Sequence, residues 1–294
     1  MKIALLGKNG QLGWELQRTL APLGEVIALD CPEIDLVQTE QACQTIRGLQ
    51  PEVIVNATAY TAVDRAESEA ELAMTINGFA PGKLAQTSLE VGAALIHFST
   101  DYVFDGQKGS PYLESDPPSP LSVYGNSKLA GEQAVIDADG VYLILRTSWV
   151  YSLRRDSFVT KVLGWARQNR TLRVVTDQVS NPTWARMLAE TTALLIARSS
   201  PDAYSWIRER RGLYHLAGSG CASRYEWAQA ILRHDPHREE QIVEELQPAL
   251  TKEFPTPAQR PLNSCLDCSL FFERFGLRLP AWEDALEFAM HAGV

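Results

Sequence analysis

Three features of the sequence predict a doubly wound α/β fold. Short apolar runs alternate with amphipathic stretches through the first half of the 294 residues. The runs are apolar at consecutive positions, as suits strands covered on both faces. A glycine-spaced turn follows the first of them. Strand-helix-strand alternation of this kind implies parallel strands joined by right-handed crossovers.

The predicted strands are Lys2–Gly7, Glu25–Asp30, Val53–Ala57, Ala94–Ser99 and Val141–Arg146. The predicted helices between and after them are Gln11–Ala21, Gln38–Gly48, Ala66–Met74, Gly78–Val91 and Gly125–Asp137. Beyond Trp149 the rhythm loosens. Helical patterns run over Ser157–Asn169, Trp184–Ser199, Arg224–Leu232 and Trp282–His291, with short apolar runs at Leu172–Val175 and Leu213–Leu216. Proline- and charge-rich connectors, HDPHREE and FPTPAQRP, separate them. The expected division is a dinucleotide-binding domain over 1–149 and a smaller, mainly substrate-binding domain over 150–294, with some later segments returning to the sheet. The basic run Ile207–Arg211 reads as a solvated face.

Composition narrows the function. The chain is 45% apolar and 9% aromatic, and 27 Lys+Arg against 36 Asp+Glu leave a net charge of −9. Such an acidic balance argues against nucleic acid as a partner. No apolar run approaches the ~20 residues that span a bilayer, and MKIALLGKNGQLG reads as a first strand and not a signal peptide. The expectation is a cytoplasmic protein with no membrane partner. Five cysteines, an odd and sparse set, fit a reducing compartment, and Cys265-x-x-Cys268 lacks the second ligand pair that zinc needs. These cysteines are expected to be incidental thiols, and His234-x-x-His237 to lie in a solvated loop. No metal site is predicted.

Gly7-x-x-Gly10-x-x-Gly13 carries the first functional signal. Glycine allows a tight turn and a close approach of backbone to a pyrophosphate, and the helix end supplies free N–H groups and partial positive charge. Asp30 closes the second strand, where a carboxylate accepts from the ribose hydroxyls of a dinucleotide; it should repel a 2′-phosphate unless Lys8 or a mobile Arg compensates. Asp35-Leu36 follows that strand, near an adenine, and Ala59-Tyr60-Thr61 follows the third. A Rossmann-type fold binding NADH or NADPH is the expectation.

Tyr124 and Lys128 carry the second signal, one turn apart on a predicted helix. A phenol of pKa ~10 is a reluctant acid at neutral pH. An adjacent ammonium stabilises the phenolate, lowers that pKa and can also hold a ribose. Ser99-Thr100-Asp101 ends the fourth strand beside the ligand-gathering sheet edge, where the Thr100 hydroxyl can bond the substrate oxygen that Tyr124 protonates.

With these residues in place the chain resembles the extended short-chain dehydrogenase/reductases and, among them, the dTDP-4-dehydrorhamnose reductase family. The resemblance rests on GKNGQLGWEL (Gly7–Leu16), NATAYTAVDRAE (Asn56–Glu67), STDYVFDG (Ser99–Gly106), SPLSVYGNSKLAGE (Ser119–Glu132), RTSWVY (Arg146–Tyr151) and PTPAQRPLNS (Pro255–Ser264). It implies reduction of the C4 keto group of dTDP-4-dehydro-L-rhamnose, with a catalytic triad of Thr100, Tyr124 and Lys128. It implies cofactor contacts from Gly10-Gln11-Leu12, Asp30, Asp35-Leu36, Ala59-Tyr60-Thr61, Tyr124 and Lys128. Substrate contacts would come from Thr100-Asp101 and Trp149, with Arg260 on the diphosphate and Arg154 or Arg155 as further cations.

Two departures stand out. Ser180 replaces a usual glycine in Asp177-Gln-Val-Ser180-Asn-Pro-Thr183, which questions that turn. Some family members hold Mg²⁺ between subunits on acidic residues. Glu15 suits such a set, but Arg186 stands where a further carboxylate is expected, so the expectation is a monomer or a homodimer without a metal bridge. Asp101 is followed by Tyr102 and not by the glutamate of a sugar dehydratase. An epimerase, or a non-catalytic subunit like the regulatory subunit of methionine adenosyltransferase, is the alternative.

Overall fold

The computed structural model describes residues 1–291. Five strands form as the apolar runs predict: β1 (Lys2–Leu6), β2 (Glu25–Leu29), β3 (Val53–Asn56), β4 (Ala94–Thr100) and β5 (Tyr142–Thr147). They pair in parallel in the order β2-β1-β3-β4-β5, and the later strand Gly212–His215 adds itself beside β5. The run Leu213–Leu216 thus belongs to the main sheet.

Alternation along β1 shows why the runs are apolar throughout. Ile3 and Leu5 pack with Leu12, Leu16 and Leu20 of α1 (Gln11–Leu20) and with Leu188 and Ile196 of the helix Ala185–Arg198. Ala4 and Leu6 point the other way, onto Ala42 and Ile46 of α2 (Thr39–Leu49) and Leu84 of the helix Ala80–Val91. Each face is therefore covered, as parallel crossovers require. A second core, built from Tyr151, Val159, Trp184, Trp227, Ile231, Trp282 and Leu286, lies in the second half of the chain.

Three expectations need correction. The predicted helices Ala66–Met74 and Gly78–Val91 join through a π-turn over Thr75–Phe79. The run at Leu172–Val175 pairs with Glu245–Ala249, a partner that its periodicity did not reveal. Cys265 is not an incidental thiol: it forms a disulfide with Cys221, while Cys31, Cys43 and Cys268 are free. The physical reason is Asn181, whose Nδ2 donates to Gly220 O (2.9 Å) and whose Oδ1 accepts from Leu266 N (2.7 Å), drawing the two cysteine-bearing segments together. Ser180 takes no positive φ; it pairs with Ala222 in a short antiparallel ladder, so the turn needs no glycine.

Candidate active site

Parallel strands bring every strand-to-helix turn to one sheet edge, where ligands gather at the reversal of strand order. Here that reversal lies between β1 and β3. A cleft of about 670 Å³ opens over it, lined among others by Gly10, Leu12, Ala59, Thr100, Tyr124 and Lys128. A second cleft of about 860 Å³ continues among residues of the second half and shares Gln11, Thr61, Trp149 and Arg224 with the first.

The three glycines divide the work. Gly7 has φ +89°, and a Cβ there would meet the Ala57 carbonyl at 2.9 Å; a Cβ on Gly13 would stand 1.9 Å from Gly7 O. These two close the turn against β3 and let the helix pack on it. Gly10 has space and precedes α1, a ten-residue helix with no side-chain cap, so its first N–H groups face the cleft. Asp30 accepts from Asn9 N (2.9 Å) and Cys31 N (2.8 Å), tying the turn to the end of β2. Lys8 is paired with Glu33 at 2.6 Å.

Asp35 and Leu36 are engaged in local contacts of their own. Asp35 caps a short 3-10 turn through Val37 N (2.9 Å), and the Leu36 side chain packs into the core. Tyr60 turns its hydroxyl away to Glu69 (2.6 Å), leaving Ala59 and Thr61 on the wall. The loop is held by Asn77 in the π-turn, which bonds Tyr60 N (2.8 Å), Tyr60 O (3.0 Å) and Ser127 Oγ (3.0 Å). Asn77 thereby fixes that loop to the helix carrying Tyr124; no sequence signal marks it.

The helix Val123–Asp137 starts at Ser122, whose Oγ accepts from Gly125 N. A Cβ on Gly125 would lie 2.3 Å from Tyr102 O, so glycine sets the helix end close against the β4 turn. Lys128 is buried and donates from Nζ to Phe98 O at 2.7 Å. Burial lowers its pKa to about 8, against the opposing pull of Glu132. Glu132 itself is locked to Arg146 by bonds of 2.8 and 2.6 Å in the core.

The expected lowering of the Tyr124 pKa does not occur in this state. Burial raises it, Asp101 and Tyr102 add to the rise, and a hydrogen bond with Thr100 opposes it. Lys128 spends its hydrogen bond on Phe98 O of β4, and Thr100 is the neighbour whose hydroxyl counters the rise. The Thr100 hydroxyl also donates to Asp101 Oδ1 (3.1 Å) and accepts from Tyr102 N (3.2 Å). Asp101 is not a free contact on the cleft wall: its carboxylate is buried and accepts from Ser264 Oγ and from Ser180 Oγ (3.1 Å). Burial raises its pKa and these hydroxyls counter it. Ser180 therefore supplies a donor where glycine could supply none.

Trp149 is half-buried with φ +41°, an uncommon conformation for an aromatic residue and one that clusters at functional sites. It stacks on Trp227 with centroids 5.5 Å apart, and the Arg224 guanidinium lies 3.5 Å over its ring. Arg260 lines the larger cleft but is bound to Asp64 at 2.8 Å. Arg154 lies over Trp14 and Arg155 lines the smaller cleft. Arg224, like Asn77, carries no signal in the sequence. It borders both clefts, and burial, with Arg260 adding to it, lowers its pKa to about 10. Its position after the Ser223 cap gives no hint of this, because only the fold carries that helix end to the clefts.

A dinucleotide fits these residues on one further observation. Gln11 Oε1, Ser99 Oγ and Thr147 Oγ1 are buried without a partner, and all three residues line the smaller cleft. Buried polar atoms are rarely left so. Glu15 lies by Arg18 (4.0 Å) and Arg186 by Glu190 (3.4 Å), pairings internal to their helices. Among the described residues no helix is long and apolar enough to cross a membrane.

Comparison with known proteins follows the same line. Residues 1–293 match the family model described as the RmlD substrate binding domain. The chain is 42% identical to a dTDP-4-dehydrorhamnose reductase of Burkholderia thailandensis, with 97% of each chain covered. It is 43% identical to the Escherichia coli K12 protein of that name, over 96% of this chain and 95% of that one. The crystal structure of dTDP-4-dehydrorhamnose reductase from Bacillus anthracis in complex with NADP matches with a TM-score of 0.89 and 33% identity, over 99% and 100% of the two chains.

Proposed function

The chain belongs to the RmlD substrate binding domain family, and from that premise we propose that it reduces the C4 keto group of dTDP-4-dehydro-L-rhamnose to dTDP-L-rhamnose. The observation that carries the reading is the gathering of Thr100, Tyr124 and Lys128 on the lining of the smaller cleft, with the open end of α1 at its rim.

The reduced nicotinamide, when bound, supplies the hydride. The first N–H groups of α1 hold its diphosphate and Asp30 its ribose, with Gln11, Ser99 and Thr147 offering their unpaired atoms. Tyr124 holds its proton firmly, since burial disfavours the phenolate, and releases it to the oxygen that becomes the C4 hydroxyl. Thr100 orients that phenol. Lys128 offers its remaining N–H donors to the ribose. Trp149 gives the sugar a flat wall, and Arg224 and Arg260 take the substrate diphosphate. Because Glu33 neutralises Lys8, the unopposed charge at the ribose corner is that of Asp30, which favours NADH over NADPH.

The test is turnover with dTDP-4-dehydrorhamnose and each reduced cofactor, followed by loss of reduced-cofactor absorbance. Stoichiometric consumption with appearance of dTDP-L-rhamnose is expected. Conversion of the sugar without net consumption would make the chain an epimerase, and no conversion at all would end the reading.

A further inference from the structure

His97 lies in β4, fully buried, and takes no part in the mechanism above. Its ring stands between two side chains. Asn56 Nδ2 is 3.1 Å from Nδ1, and Lys128 Nζ is 3.5 Å from Nε2. The orientation of the Asn56 amide is fixed independently, because its Oδ1 accepts from the backbone N–H of Thr58 at 3.1 Å. The Asn56 amide nitrogen therefore faces the imidazole and donates to Nδ1. Burial, together with the neighbouring Lys128 charge, keeps the ring neutral. A neutral imidazole that accepts at Nδ1 carries its hydrogen on Nε2.

We propose that His97 is a positioning residue for Lys128: a neutral imidazole, its tautomer set by Asn56, that presents Nε2–H to Nζ and confines the lysine's own donors to Phe98 O and the cleft. The proposal rests on the catalytic role of Lys128 given above, but the tautomer does not. An N–H directed at Nζ offers nothing to an ammonium, which has no lone pair, whereas a neutral amine accepts from it. The ring thus works with burial to ease proton loss from Lys128, and it leaves the cleft as the open direction for the lysine's spare donors.

The other groups facing Lys128 do not substitute for it. Tyr124, one turn earlier, has Thr100 as its neighbour; Glu132, one turn later, is spent on Arg146; and Asp101 is surrounded by hydroxyls. Phe98 O is the acceptor within 3 Å and comes from the same strand as His97.

Imidazole ¹⁵N–¹H correlation spectra of the ligand-free protein test this directly. The chain has five histidines, so the ring of interest is assigned by its absence in His97→Asn, or in His97→Gln if the first variant does not fold. The expected result is the Nε2–H tautomer, neutral throughout pH 6 to 9. An Nδ1–H tautomer, or an imidazolium titrating near the ordinary ~6.5, would overturn the proposal. The functional arm uses His97→Asn, which keeps an acceptor for Asn56 and removes the N–H facing Nζ. NADH binding, followed by fluorescence against pH, should lose affinity at a pH about one unit higher than in the parent protein, the scale of one neighbouring dipole and restored solvation. An unmoved pH midpoint in a variant of normal melting temperature counts against His97. If the parent protein binds NADH but turns over no sugar, the reductase reading fails while both His97 measurements still stand.

Discussion

The two clefts are built in opposite ways. The smaller one has its buried charged groups committed to named partners: Lys128 to Phe98 O, Asp101 to Ser180, Ser264 and Thr100, and Glu132 to Arg146 beneath. The larger one is walled by aromatic rings and half-buried or exposed cations, with Arg224 over Trp149 and Arg173 paired to Glu253 at the surface. The contrast follows from the task. A proton donor must be held to a fraction of an ångström, which needs hydrogen bonds that water cannot replace. A flat sugar nucleotide can be gripped by stacking and charge, which tolerate adjustment.

The largest effect should come from the small cleft. Tyr124→Phe is expected to reduce turnover by ~10²- to 10⁴-fold, the scale of general acid catalysis, with NADH binding and melting temperature little changed. Turnover within tenfold of the parent would remove Tyr124 from its role and with it the distinction between the clefts. Next, Glu132→Ala leaves Arg146 charged and unpartnered in the core, and denaturant unfolding should register a loss of about 3–5 kcal/mol. The matching change at the surface of the larger cleft, Glu253→Ala, should leave the melting temperature where it was, because exposed pairs contribute little.

Arg224→Ala sharpens the comparison from the other side. The KM for the sugar nucleotide should rise ~10- to 100-fold, as for a lost charge-assisted contact, with a smaller change in kcat. A drop in kcat at constant KM would instead make Arg224 part of the reacting end. The mildest effect is in pH. Lys128 has a folded pKa of about 8, below its ordinary 10.5, so reduction should weaken as pH rises through 8 and the ammonium is lost. The stability contribution runs the opposite way. Between about 8 and 10.5 the unfolded chain binds the extra proton, so this group's penalty on folding shrinks as pH rises across that window. Lys128→Met should abolish that rise in thermal melts taken from pH 8 to 10.

Much of the smaller cleft was legible in the chain. Gly10, Thr100, Tyr124 and Lys128 sit at the ends of strongly patterned strands and helices, and parallel topology sends those ends to one edge. The local roles of Asp35 and Leu36 were not legible, because a residue after a strand can serve equally as a cap or as core, as these two do here. Asp101 was read as a substrate contact; it borders the smaller cleft, but Ser180 and Ser264, far along the chain, hold its carboxylate. Arg224 and Asn77 were invisible for the same reason: their partners are distant in sequence, and nothing local distinguishes them from any polar residue on a helix.

Local order is what the sequence by itself determined. Period and composition specify which segments become strands and helices, and the glycine turn and the Tyr-x-x-x-Lys spacing each act within a few residues. The tertiary structure decided which polar groups are left free once the chain is closed. It turned Asp101 inward, paired Cys221 with Cys265, oriented the His97 ring through Asn56 and carried Arg224 to the junction of the clefts. Those outcomes depend on burial and on long-range hydrogen bonds, and both exist only after the sheet and the second core have packed.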